Sequence, residues 1–122
     1  MSAGLGPIGQ ISRSVKDIKQ AEAWYGNVLG LPHLYTFGTL AFFDCGGIRL
    51  FLTQSDSPQS ESVLYLRVAD IERTHAELKS RGVEFVDSPH MIHKHADGIE
   101  EWMTFFKDAE GRLLALMAQI KR

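Results

Sequence analysis

Three histidines crowd one short stretch of the chain, PHMIHKHADG, as His90, His93 and His95. Imidazole titrates near neutral pH and its nitrogens ligate divalent metals, so this group suits proton transfer or metal binding. His93 and His95 stand two apart and would share one side of a strand. Glu100 or Glu101 offers a further ligand. His93 and His95 are therefore the candidate catalytic residues. The Pro, Gly and Lys in the stretch nevertheless read as an exposed loop. Arg49 and Arg67 are candidates for holding a carboxylate or other oxyanion. Cys45, the only cysteine, lies beside Gly46-Gly47 with no neighbouring base and is not read as a nucleophile. His75 reads as a helix packing residue, and His33 as a loop residue without an evident partner.

These residues need elements to position them. Alternation predicts a strand over 8–15, with Arg13 on the apolar side. Asp17 reads as a helix N-cap, and Ile18, Ala21, Trp24, Tyr25, Val28 and Leu29 follow at helical spacing up to Gly30. Strands are expected over Leu34–Phe37, Leu40–Asp44 and Ile48–Thr53, the last two joined by a turn at Cys45-Gly46-Gly47. The polar run TQSDSPQSES reads as a linker. Then the order returns: a strand over Val63–Val68, a helix capped by Asp70 and ended by Gly82, and strands over Val83–Val86, Ile99–Lys107 and Arg112–Gln119.

The recurrence extends to the words themselves. Val15-Lys16-Asp17-Ile18 matches Val68-Ala69-Asp70-Ile71, Gly30-Leu31 matches Gly82-Val83, and Gly47–Leu52 matches Gly111–Leu116. Each half therefore reads β-α-β-β-β, and about half of 122 residues is too little to bury a core alone. The halves are expected to pack as one domain over residues 1–122: module one about 8–53, a linker about 54–62 and module two about 63–119. Such paired, curled sheets leave a concave face.

With 44% hydrophobic and 23% charged residues, the composition is that of a soluble globular protein. A net charge of -2 argues against binding a nucleic-acid backbone. No apolar run is long enough to span a membrane, the opening MSAGLGPIGQISR is not expected to act as a secretory signal, and one cysteine allows no internal disulfide. A cytoplasmic protein is expected.

The pattern IxxSVKDIKQAEAWYGNVLGLP, with LRVADIERTHAELKSRGVEFVDSP and FFKDAEGRLLALM in the second half, resembles the vicinal oxygen chelate superfamily of glyoxalases, bleomycin-resistance proteins and extradiol dioxygenases. The resemblance implies an α+β fold, two βαβββ modules forming a curled mixed sheet around a cavity, and a homodimer. It also implies a divalent metal held from the first and last strands of each half. The matching positions here are Gln10, Phe51, Val63 and Ala115. Only Gln10 carries a donor atom, whereas a catalytic site needs about three protein ligands. The usual metal site is therefore expected to be absent, with no cofactor required.

Strand alternation groups Gln10, Ser12, Arg49, Phe51, Tyr65, Arg67 and Met117 on the inner faces, and Trp102 is added as a wall residue without its face being settled. Aromatic rings with arginines suit an amphiphilic small molecule. The leading expectation is a protein that binds or sequesters such a metabolite or drug. The alternative is a lyase, isomerase or dioxygenase-type enzyme with a relocated histidine site, and a third reading is a purely structural or interaction role.

Overall fold

A computed structural model describes residues 4, 8–58 and 62–122. It forms two compact units, Met1–Glu61 and Ser62–Arg122. The linker expected over 54–62 spans this division, and its positions 59–61 lie outside the described residues.

In the first unit β1 (Gln10–Val15), β2 (His33–Phe37), β3 (Leu40–Cys45) and β4 (Ile48–Gln54) form a sheet in the order β1-β4-β3-β2. β1 runs parallel to β4, and the other pairs are antiparallel. Helix α1 (Ile18–Ala23) packs on β3 and β4. Val15, Ile18, Ala21, Tyr25, Phe43, Leu50 and Leu52 are buried there. Arg13 is buried on the same side as Val15.

The second unit repeats this plan. Strands β5 (Leu64–Arg67), β6 (His90–Lys94), β7 (Ile99–Lys107) and β8 (Leu113–Lys121) are ordered β5-β8-β7-β6. β5 is parallel to β8, and helix α2 (Ile71–Ser80) packs on β7 and β8. Ile71, Leu78, Phe106, Leu114 and Leu116 fill its core. The fold is thus α+β with two four-stranded mixed sheets.

The repeated words carry the same local geometry. The Asp17 carboxylate accepts from the Gln20 N–H at 3.0 Å, and that of Asp70 from the Arg73 N–H at 3.1 Å. Each thereby satisfies a free donor of its helix. Gly30 and Gly82 end the helical segments with φ of 82° and 92°, values that a side chain resists. The β3–β4 turn has positive φ at both Gly46 and Gly47, as a two-residue type I′ turn requires.

Five expectations need correction. β1 begins at Gln10, because Ile8 is exposed and unpaired with the sheet. The helix expected through Leu29 is α-helical only to Ala23; Trp24–Val28 form a π-helical turn closed by Leu29 N–H to Trp24 O at 2.9 Å. Gly26 and Asn27 hold an α-helix weakly, and the Cβ position of Gly26 lies 3.5 Å from the Phe43 ring. The widened turn thus seats Tyr25 in the core. Val83–Val86 is not a strand: Phe85 makes a single bridge to Phe106, and the Val83 N–H is taken by the Leu78 carbonyl at the end of α2, at 3.1 Å, instead of by β7. His90–Lys94, expected as a loop, is the strand β6 in its place; its residues are exposed, so it lacks the apolar alternation by which strands are recognised. The linker starts later than expected, because Gln54 still belongs to β4 and its side-chain oxygen accepts from the Ile18 N–H at 3.0 Å. Among the described residues no helix is long and apolar enough to cross a membrane.

Candidate functional site

Register in the first sheet decides which side chains meet. Ser12, Phe51, Phe42 and Tyr35 lie side by side across β1, β4, β3 and β2. On a pleated sheet all four project from the face opposite α1. Phe51 stacks on Phe42 with centroids 5.2 Å apart, Phe42 on Tyr35 at 4.6 Å, and Tyr35 on Phe37 at 6.0 Å. Interplanar angles between 6° and 24° make this a row of nearly parallel rings. Tyr35 and Phe37 are 43% and 58% exposed, so the row ends in an open aromatic surface.

Arg49 sits beside the two middle rings of this row, Phe42 and Tyr35. Its Nε donates to Gln10 Oε1 at 2.8 Å and its Nη1 to the Tyr35 hydroxyl at 3.4 Å, while Cζ lies 5.5 Å from the Phe42 centroid. Gln10 and the rings therefore hold an exposed guanidinium in one orientation. Gln10, Ser12, Arg49 and Phe51 come together as alternation implied. Tyr35, Phe37 and Phe42 were missed, because alternation in LAFFDC gives two apolar sets and only the register with β4 shows which one joins Phe51.

In the second unit Tyr65, Ala115 and Phe105 are in register, as are Arg67, Met117 and Met103, and then Gln119 and Glu101. The Tyr65 and Phe105 rings meet edge to face at 5.9 Å on either side of the fully buried Ala115. Arg67, Met117 and Gln119 border a pocket of about 150 Å³. Trp102 does not join them. It pairs with Ala118 on the opposite face, beside Thr104 and Phe106, and its indole N–H donates to Glu100 at 2.8 Å. The odd-numbered residues of β7 hold the polar face, a choice that two equally apolar alternating sets leave open in the sequence.

The histidines divide. His90 Nδ1 lies 2.8 Å from the Ser88 carbonyl. A register shift between Met91 and His93 turns the rest of β6, and the His93 and His95 rings then meet at right angles, 4.7 Å apart. His95 Nε2 lies 2.8 Å from Glu101 Oε2, which also accepts from Gln119 Nε2 at 2.7 Å. The bond from His95 and then that from Gln119 hold the Glu101 carboxyl below the usual range, helped by the charges of His95 and Arg67. Among the described residues no group of three or more His, Cys, Asp or Glu is placed to hold a metal. His33, read as unpartnered, contacts the Thr36 hydroxyl at 2.6 Å, which donates to Glu22 at 3.0 Å. His75 packs edge-on against Phe85 at 4.3 Å. Burial and the neighbouring Asp44 push the Cys45 thiol up, which keeps it protonated near neutral pH.

Glu100 gives a pH prediction. Hydrogen bonds from Trp102 and Arg122 hold its carboxyl below the usual range. A lowered carboxyl stabilises the fold above the unfolded-state value of about 4.3, and that contribution disappears as pH falls through the native-state value. Wild type should exceed Glu100→Gln in urea midpoint by a constant amount above about pH 6, and the gap should close below about pH 4. A gap unchanged down to pH 3 would contradict this.

The two units, each a four-stranded mixed sheet with a helix on one face, define a protein of the paired βαβββ class. The family model described as Glyoxalase/Bleomycin resistance protein/Dioxygenase superfamily matches residues 7–116, and the chain belongs to that superfamily. Solved structures agree on the fold. A glyoxalase/bleomycin resistance protein/dioxygenase from Alicyclobacillus acidocaldarius has a TM-score of 0.78 and 17% identity, over 94% of this chain and 92% of its own. An integron cassette protein from the mobile metagenome of V. cholerae gives 0.77 and 15%, over 97% and 98%. Lactoylglutathione lyase from Agrobacterium tumefaciens gives 0.72 and 18%, over 93% and 94%. No curated protein matches the chain significantly.

Proposed function

We propose that this superfamily member binds a small amphiphilic molecule with a planar aromatic body and a carboxylate or similar oxyanion. The row of parallel rings with the oriented guanidinium of Arg49 beside its two middle members carries the reading. Flat rings take a flat partner by offset stacking, and the guanidinium takes two carboxylate oxygens through its donor fork. Arg67 and Met117 border a pocket of about 150 Å³ in the second unit, which is below the usual range for a ligand site.

Binding on this face needs no metal or other cofactor. At the family's usual ligand positions Phe51, Val63 and Ala115 have no donor atoms, and Gln10 Oε1 already accepts from Arg49. A single amide oxygen does not hold a divalent ion against water. A cytoplasmic homodimer completes the proposal, in keeping with the solitary Cys45 and the family.

Calorimetry with a chelator present tests it. Naphthoate should bind at least about tenfold more tightly than cyclohexanecarboxylate, a difference of about 1.4 kcal/mol. Equal affinities, or binding that appears only on adding a divalent metal, would overturn the proposal.

A further inference from the structure

Two imidazoles meet at the end of β6, His93 on the strand and His95 just past it. The His93 and His95 rings are exposed and perpendicular, with centroids 4.7 Å apart. Metal coordination imposes its own spacing on two such rings. An imidazole bound at about 2.0–2.1 Å puts its centroid about 3.2 Å from the ion. Two rings at a right angle about the ion then have centroids about 4.5 Å apart, and at a tetrahedral angle about 5.2 Å. The observed 4.7 Å falls nearer the right angle. Right-angle coordination by nitrogen belongs to tetragonal ions, Cu(II) foremost, rather than to tetrahedral Zn(II).

A second observation is independent of that spacing. Metal-bound histidines commonly give their other ring N–H to a carboxylate, which fixes the tautomer and makes the ligating nitrogen more basic. His95 has that partner: Nε2 meets Glu101 at 2.8 Å, leaving Nδ1 for a ligand. Gln119 braces the same carboxylate oxygen at 2.7 Å. Neither nitrogen of His93, nor Nδ1 of His95, makes a hydrogen bond among the described residues. Lys94, between them in sequence, is in register with Glu100.

We infer that His93 and His95 form a two-imidazole site for Cu(II), with Glu101 as the orienting carboxylate and water in the remaining positions. The site lies wholly on the second unit and uses none of the residues assigned to the aromatic anion. Its failure and that of the binding proposal are therefore separate results.

The test is a titration of tag-free protein with Cu(II), following affinity by chelator competition and coordination by electron paramagnetic resonance. One ion per chain should bind, giving a tetragonal spectrum with coupling to two nitrogens. His93→Gln and His95→Gln should each weaken binding at least tenfold. Glu101→Gln should weaken it about 10- to 100-fold with both ligands intact. His90→Gln should leave affinity unchanged, and circular dichroism should match wild type throughout. Affinity and nitrogen coupling that survive in His93→Gln/His95→Gln, or that depend equally on His90, would overturn the assignment.

Discussion

Phe106→Ala should cost about 3–5 kcal/mol, the range for deleting a buried aromatic side chain. Phe106 is fully buried in β7, paired with Leu114, and its ring meets that of Phe85 at 5.3 Å. Truncation removes the ring's transfer free energy and leaves a cavity between rigid strands, which relax little. The Phe106 ring is also what the Phe85 side chain packs on beside their backbone bridge, so residues 83–86 should loosen too. A chain of this size gains about 5–15 kcal/mol from folding, so the loss is a large fraction of the total. Tm should fall by roughly 10–20 °C. The comparison that decides the matter is Phe37→Ala. Phe37 is 58% exposed and should cost under about 1 kcal/mol. Calorimetry that found the two substitutions equally destabilising would refute the division into a core face and an open face.

That division was largely legible in the sequence. Alternation separated Leu50, Leu52, Leu114 and Leu116 from Arg49, Phe51, Tyr65 and Met117, because strand side chains take opposite faces in turn and only one face is covered by a helix. The paired words Val15–Ile18 and Val68–Ile71 carried the repeat, because a capping Asp before an apolar residue is a local signal that needs no tertiary contact.

What the sequence withheld depends on contacts between elements. β6 is fully exposed, so hydrogen bonds to β7 define it and hydrophobic periodicity does not. Register then decided two sites at once. It placed Tyr35 and Phe42 beside Phe51, and it put Trp102 on the core side while Glu101 took the polar face. The turn over Trp24–Val28 was hidden for another reason: its residues keep helical spacing, and the closing of the turn on Phe43 decides how many residues it holds. The face with Arg49 was thus foreseeable as a set of residues, but not as a surface of stacked rings.

The stacked surface makes Arg49→Met the sharpest test of how the ligand is held. Methionine keeps an apolar stem against Phe42, so the ring row should survive. What goes is the guanidinium fixed by Gln10 at 2.8 Å and set 5.5 Å from the Phe42 centroid. A hydrogen bond to a charged group contributes about 1.5–3 kcal/mol, so affinity for naphthoate should fall by about 10- to 100-fold. Naphthamide, of the same shape but without charge, should bind wild type and variant alike. Raising salt should weaken naphthoate binding to wild type more than to Arg49→Met, because screening acts on the exposed charge that the variant lacks. Phe51→Ala should behave oppositely and weaken both ligands together, since it removes stacking area without touching the charge. If Arg49→Met lowers the affinity for naphthamide as much as for naphthoate, the guanidinium only props up the rings, and the anion-binding half of the proposal fails while the aromatic half stands.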